Sequence, residues 1–193
     1  MNVSSDTRRS TPPQNLSAGP MSAASPQWVH PLRNGAQVII RPIGKDDAAL
    51  ERAFIESLSA QSRRFRFLGQ IGFPSDALIR RLTDIDYVHD VAFVALANVG
   101  GKAQEIGVAR YSISDDGRSC ECAVAVSDDF HHQGVGTLLM NHLIDIARER
   151  GIGEMLSIDS AENFGMRDLA QSLGFERAPD PDDGTQVIHR LTL

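Results

Sequence analysis

One amphipathic run fixes the centre of this chain. Val135, Leu138, Leu139, Leu143, Ile146 and Ala147 recur at three- and four-residue spacing, which a helix places on one buried face. Arg148, Arg150 and Gly151 end it with cations in the last turn and a glycine beyond. Gly134 and Gly136 stand at its start, shortly after the strand-like run CECAVAV at 120–126. Glycines between a strand and a helix can serve a tight turn alone. At the head of a real helix they also sit among unpaired N–H groups, which favour phosphate oxygens.

Three phosphate-binding patterns compete for that geometry. A Walker loop needs a lysine after its last glycine, and a dinucleotide fingerprint needs a third glycine where Leu139 stands, so both fail on residues. The third pattern, [QR]-x-x-G-x-[GA] after a strand, takes the pyrophosphate of an acyl-coenzyme A. His131-His132-Gln133-Gly134-Val135-Gly136 fits it, with His131 where Gln or Arg is usual.

With these residues the chain resembles the GNAT N-acetyltransferase superfamily over roughly residues 36–193. AENFGMRDLAQSLGFE (161–176) is similar to the family's asparagine-capped helix and following strand, and VIIRPIGKDDAALERAFIESLSAQSRRFRF (38–67) to its opening strand and helices. The Arg-Pro-Ile opening, the Leu-Ser-x-x-Ser-x-x-x-Arg-Phe stretch and the Glu-x-Ala-x-x-Val strand most resemble the catalytic domains of bacterial protein lysine acetyltransferases. The resemblance implies acetyl-CoA as cosubstrate, no metal, an amine acceptor that is a protein lysine, and a mixed, mostly antiparallel sheet of about seven strands whose central strands splay apart.

Local patterns agree with that α/β (α+β) architecture. Alternation gives strands at 37–43, 91–99, 105–113, 120–126, 155–161, 175–178 and 186–193. Asp46 and Asp47 look like the cap of a helix to about residue 57, a second helix runs near 60–68, and Ser75 and Asp76 open a third.

Glu121 is the candidate general base. Glu121, Ala123 and Ala125 share one face of their strand, while Cys120, Cys122, Val124 and Val126 share the other. Periodicity alone makes Glu121 a solvent-facing residue of a half-exposed sheet. The resemblance makes it the base, since it lies where the related lysine acetyltransferases carry theirs. It also implies that backbone groups of Val124, Ala125 and Val126 hold the pantetheine amides. The N–H groups of His132, Gln133, Gly134, Val135, Gly136 and Thr137 then cradle the pyrophosphate, and Asn163 approaches the pantetheine arm while capping its helix. Ala170 stands where many relatives have a tyrosine that protonates the departing thiolate.

Composition bounds the rest. Residues 1–27 are rich in Ser, Pro and Thr with few large apolar groups and read as a disordered tail ahead of one domain at 28–193, with Trp28 as its anchor. The tail has no apolar core of a signal peptide and the chain no membrane-length apolar run, so a cytoplasmic protein without a membrane partner is expected. A net charge of −6 argues against nucleic acid and suits a cationic amine. Cys120 and Cys122 read as buried free thiols. Asp128, Asp129, His131 and His132 lie on a segment that points them in different directions and make no preformed metal site. Two other readings share the cradle: acetylation of a small amine, and a non-catalytic acyl-CoA sensor. Oligomeric state is open.

Overall fold

The computed structural model describes residues 26–69 and 72–193, so the tail expected at 1–27 lies outside the described residues except for Pro26 and Gln27. Eight strands form one sheet: β1 (Trp28–Pro31), β2 (Gln37–Pro42), β3 (Asp90–Val99), β4 (Lys102–Ile113), β5 (Ser119–Val126), β6 (Glu154–Ser160), β7 (Glu176–Pro179) and β8 (Gln186–Thr192). Their order is β1-β2-β3-β4-β5-β6-β8-β7. Every neighbouring pair is antiparallel except β5 and β6, which run parallel.

The strand beyond the seven expected is β1. It is short, ends in Pro31 and adjoins the low-complexity tail, so no alternation marks it. The Trp28 ring stacks on His142 at 4.3 Å and meets Phe93 edge-on at 5.5 Å, which anchors this end of the chain to the core.

Helices cover both faces. On one lie α1 (Ala48–Ser57), α2 (Ala60–Phe67) and α3 (Asp76–Thr83), with Phe54, Ile55, Ile79 and Leu82 packed on Ala92, Val94 and Val108. On the other, α4 (Val135–Glu149) and α5 (Phe164–Ser172) bury Leu139, Leu143, Met166 and Ala170 against Phe93, Tyr111, Met155 and Leu191. Among the described residues no helix is long and apolar enough to cross a membrane.

Two local features differ from the sequence reading. Ser75 caps α3 as expected, but Asp47 gives α1 no side-chain cap bond. Its carboxylate instead accepts from both outer nitrogens of Arg41, at 2.6 and 2.8 Å, and from Gly44 N–H at 2.8 Å, because a charged fork binds a carboxylate more strongly than one amide does. The second feature is a bulge. Ala95 pairs with Gly107 and Leu96 with Glu105, leaving Ile106 as the extra residue of β4. Beside it α4 packs so closely that a Cβ on Gly107 would lie 3.1 Å from both the Ala125 carbonyl and Leu139 Cδ1.

Beneath α1 the same strand carries a buried polar cluster. Glu51 and Glu105 are each 1% exposed, and Arg110 Nη2 lies 3.5 Å from Glu51 Oε1. Burial, reinforced by the neighbouring Glu51, holds the Glu105 carboxyl far above the usual carboxylate range, so it keeps its proton. Between the unfolded value of about 4.3 and that raised one, the native state retains a proton the unfolded chain has released; stability therefore falls as pH rises. Glu105→Gln should flatten this slope in denaturant titrations across about pH 5 to 8, and an unchanged slope would place the proton elsewhere.

Candidate active site

The site begins where two strands part. β5 and β6 pair at Ser119 with Glu154, Cys120 with Met155 and Glu121 with Leu156; beyond Glu121 the register stops. β4 continues to pair β5 on its other edge as far as Val126. The edge of β5 that faces β6 is thus left open from Cys122 onward, and a cleft of about 610 Å³ fills the gap.

Glu121 stands at the fork. It is exposed, lines the cleft and belongs to the last paired position of the seam. Ala125 packs with the core under α1 and α3, whereas Cys122, Val124 and Val126 pack with the core under α4. By alternation Glu121 and Ala123 face the α1 side, so the division of faces read from the sequence holds. Val124, Ala125 and Val126 form one wall, and the Val126 carbonyl lies 3.1 Å from His131 Nε2.

At the far end the chain turns into α4 through two left-handed residues, His132 at φ 59° and Gly134 at φ 93°. A Cβ on Gly134 would meet nothing within 4 Å, so its bareness serves backbone conformation and access, not packing. Gly136 differs: a Cβ there would lie 3.1 Å from Leu169 Cδ2, which makes it the contact that lets α4 approach α5. His132, Gly134, Gly136 and Thr137 all line the cleft. Val135 also borders it but is 1% exposed, so its side chain belongs to the core. Gln133 turns back to donate to the Asp129 carbonyl at 3.2 Å. Asn163 lines the cleft and caps α5, its Oδ1 accepting from Met166 N–H at 3.1 Å. Ala170 is fully buried beneath α5.

The remaining wall is α2. Asp128, which the sequence marks only as part of an acidic loop, accepts from Ser59 N–H at 2.9 Å, Ser59 Oγ at 3.0 Å and Ser62 Oγ at 2.7 Å. It caps α2 from outside and ties it to the turn that precedes the cradle. Arg64 of α2 also pairs with Glu162, just ahead of α5, at 2.8 Å. Among the described residues no three His, Cys, Asp or Glu side chains come together as a metal-binding group. Cys120 and Cys122 are buried and unpaired.

Sequence reasoning missed the wall formed by β6. Ser157 and Asp159 line the cleft although they are only 1% and 9% exposed. The available signal is in MLSIDSA, where both polar residues share the face of the apolar Met155.

A mixed sheet whose one parallel seam opens onto a glycine-headed helix is an architecture this chain shares with known acetyltransferases. Residues 55–175 match the acetyltransferase (GNAT) family. Acetyltransferase PA5475 of Pseudomonas aeruginosa is 48% identical over 182 residues, covering 93% of this chain and 98% of that protein. Acetyltransferase Pat of Mycolicibacterium smegmatis is 27% identical over 146 residues, which span 74% of this chain but only 42% of Pat. Among solved structures, the GNAT domain of S. lividans PAT superposes with a TM-score of 0.78 at 27% identity, covering 86% of this chain and 97% of that domain. The chain belongs to the acetyltransferase (GNAT) family.

The Asp128 cap has a pH signature. Burial alone would raise its carboxyl, but the Ser59 amide and the Ser62 and Ser59 hydroxyls outweigh it and hold the group below the usual range. A depressed carboxyl stabilises the fold above its unfolded value, and that contribution is lost as pH falls through the folded value. Asp128→Asn should therefore lower the melting temperature near neutrality, with the gap to wild type closing below about pH 4. A constant gap would mean that charge on Asp128 is irrelevant to α2.

Proposed function

We propose that this acetyltransferase moves the acetyl group of acetyl-CoA onto the side-chain amine of a protein lysine in the cytoplasm, by direct attack with Glu121 as general base. The observation that carries the reading is the position of Glu121, an exposed, cleft-lining carboxylate in the last residue pair before β5 and β6 separate.

The chemistry asks for such a group. A lysine ammonium has a pKa near ~10.4, so at neutral pH only about one in a thousand is nucleophilic unaided. A carboxylate open to the cleft can take the proton directly or through one water. The pantetheine arm lies along the open edge of Val124, Ala125 and Val126, where strand-like pairing with the arm's amides satisfies backbone groups that β6 leaves free. Its pyrophosphate rests on the N–H groups of His132, Gln133, Gly134, Val135, Gly136 and Thr137, with the positive end of α4 behind them. Asn163 faces the arm from α5. A protein acceptor is supported by the resemblance of the Arg-Pro-Ile, Leu-Ser-x-x-Ser-x-x-x-Arg-Phe and Glu-x-Ala-x-x-Val stretches to bacterial protein lysine acetyltransferases and by the net charge of −6, which favours approach of a lysine-bearing segment.

Incubation with acetyl-CoA and a cell lysate, followed by mass spectrometry, should reveal new acetyl-lysines. Glu121→Gln should reduce their formation by roughly two orders of magnitude while acetyl-CoA still raises the melting temperature. Wild-type rates in the variant would remove Glu121 from proton transfer. Acetylation of small amines alone would reassign the acceptor.

A further inference from the structure

Glu121 is not the only carboxyl on the open seam. Asp159 stands on the opposite strand, three residues past the last β5–β6 pair, and so level with Val124 if the parallel register were continued. Met155 packs with the core under α4 and α5, and alternation puts Ser157 and Asp159 on that same face. Glu121 faces the other way. The two carboxyls therefore flank the gap from opposite faces of the sheet, the exposed one toward α1 and the buried one toward α5.

Asp159 has the surroundings of an acid. It is 9% exposed, lines the cleft, and takes one side-chain hydrogen bond among the described residues, from Ser157 Oγ at 2.5 Å. Burial pushes its carboxyl above the usual range, while Ser157 and the charges of His189 on β8 and Arg66 on α2 draw it partly back. Cys122 on β5 also faces it, but burial keeps that thiol protonated. The buried residues of α5 are Met166 and Ala170, which carry no acidic proton, and the Ser172 hydroxyl is spent on the Leu169 carbonyl.

We propose that Asp159 hands a proton to the coenzyme A sulfur as it leaves, so that base and acid work from opposite faces of the seam. The inference rests on the reading that the pantetheine arm lies along Val124 to Val126, which brings its sulfur to the fork between Glu121 and Asp159. As the amine nitrogen bonds to the acetyl carbonyl carbon, the C–S bond breaks and its electron pair goes to sulfur, which takes the Asp159 proton. The ammonium gives up two protons in all. One recharges Asp159 through water, and the other passes by way of Glu121 to solvent.

The test needs no acceptor. Coenzyme A is bound to the wild-type protein and its thiolate followed by ultraviolet absorbance as pH rises. The protein's own chromophores stay silent, because burial pushes the Cys120 thiol up to about 12 and raises Cys122, Tyr87 and Tyr111 well above their ordinary values. With Asp159 beside the sulfur, its negative charge at alkaline pH should hold the bound thiol about one pKa unit higher than the rest of the site does, a tenfold change in the ionisation constant. Asp159→Asn should remove that difference. A bound thiol that titrates at the same pH in the wild type and in Asp159→Asn overturns the inference. Failure of coenzyme A to bind at all would instead sink the proposed function, which separates the two outcomes.

Discussion

The parting of β5 from β6 is the constraint on which the rest of the structure depends. Parallel strands normally stay paired and covered, because each buried backbone group left without a partner costs free energy. Here three pairs form and then the strands diverge, exposing a strand edge inside the protein instead of at its rim. Such an edge asks for a partner with amide groups of its own, and this is the feature that turns a mixed sheet into a binding site.

Everything nearby holds the gap open and its walls in place. The bulge at Ile106 and the bare Gly107 let α4 press on the back of β4 and β5, while Gly136 lets the same helix meet α5. The left-handed turn at His132 and Gly134 brings the head of α4 to the wide end of the gap. Asp128 fixes α2 as the third wall by capping it from the segment that leads into that turn. The narrow end then offers Glu121 on one face and Asp159 on the other, one exposed and one buried.

Much of this is legible in the amino-acid sequence. The central helix, its glycine head and the division of faces on β5 follow from periodicity, because α4 is amphipathic over its whole length and β5 alternates through Cys120, Glu121 and Cys122. The Asn163 and Ser75 caps follow from residue type and position. What escaped was tertiary. Trp28–Pro31 becomes a strand only because β2 offers it an edge, and Asp47 prefers Arg41 to its own helix. Asp128 finds its role through serines far away in sequence, and Asp159 through a strand that has moved aside. None of those partners can be read from a local window.

The central claim is that the open edge of β5 receives the pantetheine arm as a strand-like partner. Amide hydrogen exchange across residues 122–126, measured with and without saturating acetyl-CoA, tests it most directly. The account predicts marked slowing there, together with slowing at the head of α4, while the paired positions Cys120 and Glu121 change little. Unaltered exchange at 122–126 in a protein whose melting temperature acetyl-CoA raises would contradict it, because the ligand would then bind away from the seam.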